Sequence, residues 1–169
     1  NRTVIDGQFK NLGAELRGIH RYTLGKQMQV LALGARVYKG KTSARQGDGT
    51  SGSDADFTFL NPSNLENSDY TFPNLNLAFF AEHIFRLHER FSITPGIRWE
   101  YIQTASEGYY RNFLLDAAGN IVSDTRFEES LQRQRSFILA GLGLNYQIAT
   151  EVNLYGNFSQ NYRAINFSD

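Results

Sequence analysis

The feature that most constrains this chain is an apolar/polar alternation of period two, sustained over segments too long for an ordinary soluble sheet. Six such segments stand out, at about Phe9–Leu24, Gln27–Lys39, Asn74–Leu87, Arg90–Thr104, Arg135–Ile148 and Glu151–Arg163. Successive side chains of a strand point to opposite faces, so each segment has one apolar and one polar side. In the first, Leu12, Ala14, Leu16, Gly18, His20 and Tyr22 oppose Asn11, Glu15, Arg17 and Arg21. In the third, Leu75, Leu77, Phe79, Ala81 and Phe85 oppose Asn74, Asn76, Glu82 and Arg86. In the fourth, Ile93, Ile97, Trp99 and Tyr101 oppose Ser92, Thr94, Arg98 and Glu100, and in the sixth Val152, Leu154 and Phe158 oppose Asn153, Asn157 and Arg163. Soluble strands run to about 5–6 residues. A strand crossing a bilayer needs about 9–11 and can project beyond it.

The connections alternate as strictly as the residues. Gly25-Lys26, His88-Glu89 and Ala149-Thr150 read as tight turns, whereas 41–73 and 105–134 read as long loops. Long loops confined to one end are the habit of outer-membrane barrels, whose short turns face the periplasm. The first, third and fifth strands then run towards the periplasm. Residues Gln46–Asp54 read as a flexible polar stretch, and the apolar runs around Gly119-Asn120 read as a small extracellular hairpin. The predicted fold is therefore all-β, an antiparallel transmembrane barrel wall of about six long strands.

Composition narrows the remaining classes. Thirteen Phe and nine Tyr coexist with a mean hydropathy of −0.42, so the chain is aromatic without being uniformly apolar. No run approaches the length of a membrane-spanning helix, which says nothing against strands. Net charge is zero, which gives no electrostatic footprint for nucleic acid. Cysteine is absent, which excludes disulfides and thiolate metal sites.

Few residues suggest chemistry. Asp48, Asp54 and Asp56 carry oxygens that calcium uses, but their spacing matches no EF-hand loop, and a solvated loop accounts for them. His20, His83 and His88 are scattered; the first two fall on apolar faces near strand ends, where amphipathic rings suit a membrane interface. Nucleophile elbows, phosphate loops and zinc-protease motifs are missing, so no catalytic residue, metal or cofactor is expected. The polar faces place Glu15, Arg17, Arg36, Glu82, Arg98, Glu100, Asn157 and Arg163 towards a wet lumen, where they can form cross-strand ion pairs or meet an anionic ligand. Among loop residues, Arg45, Tyr109, Tyr110, Arg111 and Arg126 are the candidates for ligand contact.

Two stretches carry a family resemblance. Ala81-Glu82-His83-Ile84-Phe85-Arg86-Leu87, followed by Phe91-Ser92-Ile93-Thr94-Pro95-Gly96-Ile97-Arg98-Trp99-Glu100, resembles a strand, short turn and rising strand of TonB-dependent receptor barrels. Asn153-Leu154-Tyr155-Gly156-Asn157-Phe158-Ser159-Gln160-Asn161-Tyr162-Arg163 is similar to a further strand of that family, and the ending up to Asp169 resembles ferric-citrate-type receptors. The resemblance implies a bacterial outer-membrane location and a barrel of about 22 strands. It also implies a plug domain through which TonB acts, and uptake of a scarce ligand, a ferric siderophore or ferric citrate. Residues 1–169 show neither plug nor TonB box, so the expectation is an internal piece of the barrel. Its partners would be outer-membrane lipid, the remaining strands, the plug and, through it, TonB. A passive porin or structural barrel is the alternative, and a soluble β-barrel carrier the next.

Overall fold

The computed structural model describes residues 2–52 and 54–162. Six strands carry most of them: β1 (Thr3–Leu24), β2 (Gln27–Asp48), β3 (Ser68–His88), β4 (Phe91–Leu115), β5 (Ile121–Ala149) and β6 (Val152–Ser159). They form one sheet in the order β1-β2-β3-β4-β5-β6, so every strand pairs with its chain neighbours and the sheet is open. The all-β architecture expected from the alternation is present. β5 and β6 pair antiparallel from Gly141↔Ser159 to Ala149↔Val152, with a register shift between Gln147 and Ala149.

Four boundaries differ from the sequence reading. The second and third tight turns are Glu89-Arg90 and Thr150-Glu151, one residue later than expected. The first, Gly25-Lys26, stands as read, and Gly25 takes a φ of 63° that a side chain would resist. The stretch 105–134 is no irregular loop: β4 and β5 run through it to a tip at Asp116–Asn120. The anticipated small hairpin is the end of that long β4–β5 hairpin. Likewise β2 continues to Asp48 and β3 begins at Ser68, leaving 49–67 as the long connection between them. Ladder hydrogen bonds to neighbouring strands hold these extensions, and they do so without an apolar/polar alternation.

Two compact units can be described separately. The first comprises the chain up to Leu12, Lys39–Leu75 and Gln103–Arg133. It contains a small core in which Val4, Phe59 and Leu65 pack together, Leu65 with no exposure at all. Phe59 and Leu65 come from the 49–67 connection. That connection starts as a short ladder, with Gly49 bridging Phe59, the Leu60 amide donating to the Asp48 carbonyl at 2.8 Å and the Thr50 amide to Thr58 at 3.2 Å. At the other tip the Asp116 carboxylate accepts the amides of Ala118 (2.9 Å) and Asn120 (2.8 Å). The Asn120 side chain and amide hold that carboxyl below its ordinary pKa.

The second unit comprises Gly13–Tyr38, Asn76–Ile102 and the chain from Gln134. Among its described residues Ala78 is the one hydrophobic residue that is buried. Leu16, Leu33, Phe79, Ile97, Ile138 and Leu154 are all at least half exposed. A water-soluble sheet would cover such a face with a second layer. Gln29, only 3% exposed, inserts its amide into the β2–β3 seam: its Nε2 donates to the Arg86 carbonyl at 3.1 Å, and its Oε1 accepts the Arg86 amide at 2.9 Å.

Candidate functional site

Within the second unit, four strands place side chains on a common polar face. Phe80 of β3 lies over Gly34 of β2, where an added Cβ would come within 2.0 Å of the ring. That position therefore needs glycine, since no side chain fits between the strand and the ring. The guanidinium carbons of Arg17 (β1) and Arg98 (β4) lie 5.7 and 5.8 Å from the Phe80 centroid, which is cation–π distance. Each arginine is also paired with a glutamate two residues along its own strand: Arg17 with Glu15, and Arg98 with Glu100 at 2.5 Å. Asn76 donates to Glu100 at 3.4 Å, and Glu82 crosses over Gly96. A cavity of about 530 Å³ opens here, with Arg17, Phe80, Glu82, Arg98 and Ser159 among its lining residues.

The first unit holds the loop candidates, and most of them grip the 49–67 connection. Arg45 donates to the Pro62 carbonyl at 2.6 Å, pairs with Asp69 at 3.5 Å and stacks over Phe59 at 5.1 Å. Tyr109, buried, donates its hydroxyl to the Leu65 carbonyl at 3.2 Å. Arg111 donates to Asn64 at 3.1 Å and pairs with Asp124 at 3.5 Å. Arg126 covers the Tyr109 ring at 3.7 Å and pairs with Glu128 at 2.8 Å. Tyr110 instead stacks on Phe127 with centroids 5.1 Å apart, and both rings are more than two-fifths exposed.

Acidic groups complete the grip. Burial would raise the pKa of Glu66, but Asn61, the Asp48 amide and nearby Arg111 more than offset it, so its carboxyl sits below the ordinary value. Asp56 is lowered by the Thr50 hydroxyl and then by Thr58, with Arg2 adding an ion pair at 3.7 Å. Tyr70 donates to Glu129 at 3.0 Å, and burial together with that carboxylate pushes the phenol up to about 12.

The open apolar face and the charged polar face are what a membrane barrel wall presents. Residues 2–169 match the family model described as TonB dependent receptor-like, beta-barrel. The chain belongs to the TonB-dependent receptor family. A search of curated proteins finds no match. Members of this family are bacterial outer-membrane transporters, which gives the exposed leucines and phenylalanines their solvent, lipid hydrocarbon.

In this receptor wall, several expected lumen-facing groups are brought together and others are not. Glu15, Arg17, Glu82, Arg98 and Glu100 gather around Phe80 and Gly96, whereas Arg36 is exposed on β2 and Asn157 lies on β6. Arg163 lies outside the described residues. On the opposite face, Tyr22 shares a hydrogen bond of 2.8 Å with His83, and His20 stacks on Tyr22 at 5.7 Å. Phe80 is the residue of this cluster that alternation alone missed, because an aromatic ring on a polar face breaks the pattern. The signal was available in Gly34, a glycine in mid-strand that marks a close approach.

Proposed function

We propose that this receptor wall serves the uptake of a ferric siderophore or ferric citrate, energised by TonB acting through a plug domain. The ligand's anionic groups meet the barrel at the first unit, on the side of the molecule that faces outside the cell. The observation that carries this reading is the arginine-rich, aromatic-backed cluster there. Arg126 and the Tyr110–Phe127 pair offer a charge and a flat apolar surface to a chelate, while Arg45, Arg111 and Tyr109 hold the connection that frames them. Arginine suits this role because its fork of donors meets carboxylate and catecholate oxygens two at a time. The lumen groups then line the way inward.

The test uses the full receptor in cells lacking their own iron-chelate receptors. Uptake of radioactive iron as ferric citrate or a hydroxamate chelate is measured with and without a functional TonB system. Uptake that needs TonB and saturates supports the reading. Non-saturable uptake that survives loss of TonB would instead mark a passive pore, and absence of any iron uptake would remove iron chelates as the cargo.

A further inference from the structure

We infer that Arg17, Phe80 and Arg98 form a second, weak anion site on the lumen face, a clip for a small polyanionic chelate in transit through the barrel. The inference rests on the transport reading above, and it goes beyond that reading by assigning a transit site distinct from the cluster of the first unit. Three observations carry it. First, two guanidiniums from strands separated by β2 and β3 share one ring, so their carbons lie within twice the 5.7–5.8 Å radius of each other. A chelate with several carboxylate or phenolate oxygens can span that distance, whereas a lone monovalent anion engages one arginine at a time. Second, the ring is fixed. Phe80 occupies the space that Gly34 leaves free, so the platform cannot drop towards the sheet. Third, the cavity beside it, about 530 Å³, falls within the range of small-molecule sites, and the neutral Ser159 is among its lining residues.

The glutamates on the same face decide the strength of the site. Glu15 holds Arg17 and Glu100 holds Arg98, each in an exchangeable pair two residues along one strand, while Glu82 stands beside them on the same wall. An incoming anion must displace a carboxylate that is already there. The Arg17–Glu15 pair is solvated and of a kind worth about 0–1 kcal/mol, so exchange there is cheap in both directions. Glu100, its side chain 15% exposed and also bonded by Asn76, holds Arg98 more firmly. A station on a conduction path needs that balance: binding sufficient to admit the ligand and weak enough to release it. Phe80 here is a positioning residue, and the two arginines make the contact.

The experiment has two arms, both on the full receptor. In cells, Arg17→Gln/Arg98→Gln is expected to keep equilibrium binding of ferric citrate at the cell surface within about twofold, and to slow its uptake about tenfold. Phe80→Ala keeps both charges but frees them, and is expected to slow uptake about threefold. Arg17→Lys/Arg98→Lys should recover most of the rate. All variants are first checked for the folded barrel by heat-modifiable migration. Uptake by the double glutamine variant equal to the parent would overturn the clip. In the second arm citrate alone is titrated into purified receptor, and saturation-transfer NMR reads its contact. The double glutamine variant should weaken the low-affinity phase of that contact at least fivefold, and Arg45→Gln/Arg126→Gln should leave that phase in place. If the parent receptor takes up no iron chelate, the transport reading fails while this titration still judges the clip. An unchanged titration sinks the clip alone.

Discussion

The two units of this molecule are stabilised in opposite ways. The first buries its own hydrophobic residues and turns its arginines inward onto carbonyls, carboxylates and rings. The second buries only Ala78 among its described hydrophobic residues. Both leave large aliphatic side chains uncovered, Ile5, Leu12 and Ile121 in the first and Leu16, Leu33 and Leu154 in the second, but only the first has a core of its own. Residues of β1 to β5 belong to both units, whereas β6 belongs to the second alone, and lipid hydrocarbon against one face of a receptor wall accounts for the uncovered side chains of the second. A barrel wall can thus change from a self-packed to a solvent-dependent structure along a single strand, with no change in secondary structure.

The comparison can be tested most severely at Leu65. Leu65→Ala empties the centre of the first unit's core and should cost about 2–5 kcal/mol locally. The loss should appear as faster proteolysis and hydrogen exchange of 49–67, with the melting of the barrel in detergent little changed. A global loss of equal size would mean that the units are not energetically separate. Next comes a paired substitution. Leu33→Arg places a charge on the apolar face and should cost about 2–4 kcal/mol in lipid, as at a membrane midplane. Ile121→Arg, at a somewhat more exposed residue of the first unit, should fall within about 0.5 kcal/mol of neutral. Urea unfolding of the two variants in vesicles, if it gave equal losses, would break the contrast. Gly34→Ala forces the Phe80 ring aside and should cost about 1–3 kcal/mol, with loss of the Arg17 and Arg98 stacking detectable in the guanidinium NMR shifts.

The smallest effect concerns acid. Glu66 has a folded pKa below its unfolded value near 4.5, so its contribution to the first unit is present above that pH and is lost as pH falls through the lower, folded value. Proteolysis of 49–67 should therefore accelerate as pH falls below about 4.5, and Glu66→Gln should flatten that dependence. An acid response unchanged by Glu66→Gln would assign it to another group, with Asp56 the next to try.

Much of the second unit was legible in the sequence, because a face against lipid and a face against water impose period two with little exception. Leu33 and Ile97 are half exposed, and Arg98 pairs with Glu100 on its own strand. The turn positions slipped by one because polar pairs such as His88-Glu89 and Glu89-Arg90 are equally suited to a tight turn. The first unit was harder to read. Its strand extensions lack a period-two alternation, so residues 41–48, 68–73, 105–115 and 121–134 look like loop while pairing as strand. The ligand candidates were recognisable as cationic and aromatic residues at the outer end. That Arg45, Tyr109 and Arg111 clamp 49–67 follows from contacts between residues far apart in the chain, which no local pattern encodes.

Gln29 has a consequence for how the wall is assembled. β1 and β2 are aligned by a two-residue turn, but β2 and β3 are joined through 49–67, which is far too long to dictate how one strand slides along the other. The carboxamide wedged between them supplies the missing alignment, because it mimics a peptide group and fits only opposite Arg86. A frame-shifted pairing would strand two donors and two acceptors, each at a cost of about 1–3 kcal/mol where it is kept from water. One side chain thus acts as an index pin for a hairpin whose own connection has no say in the matter.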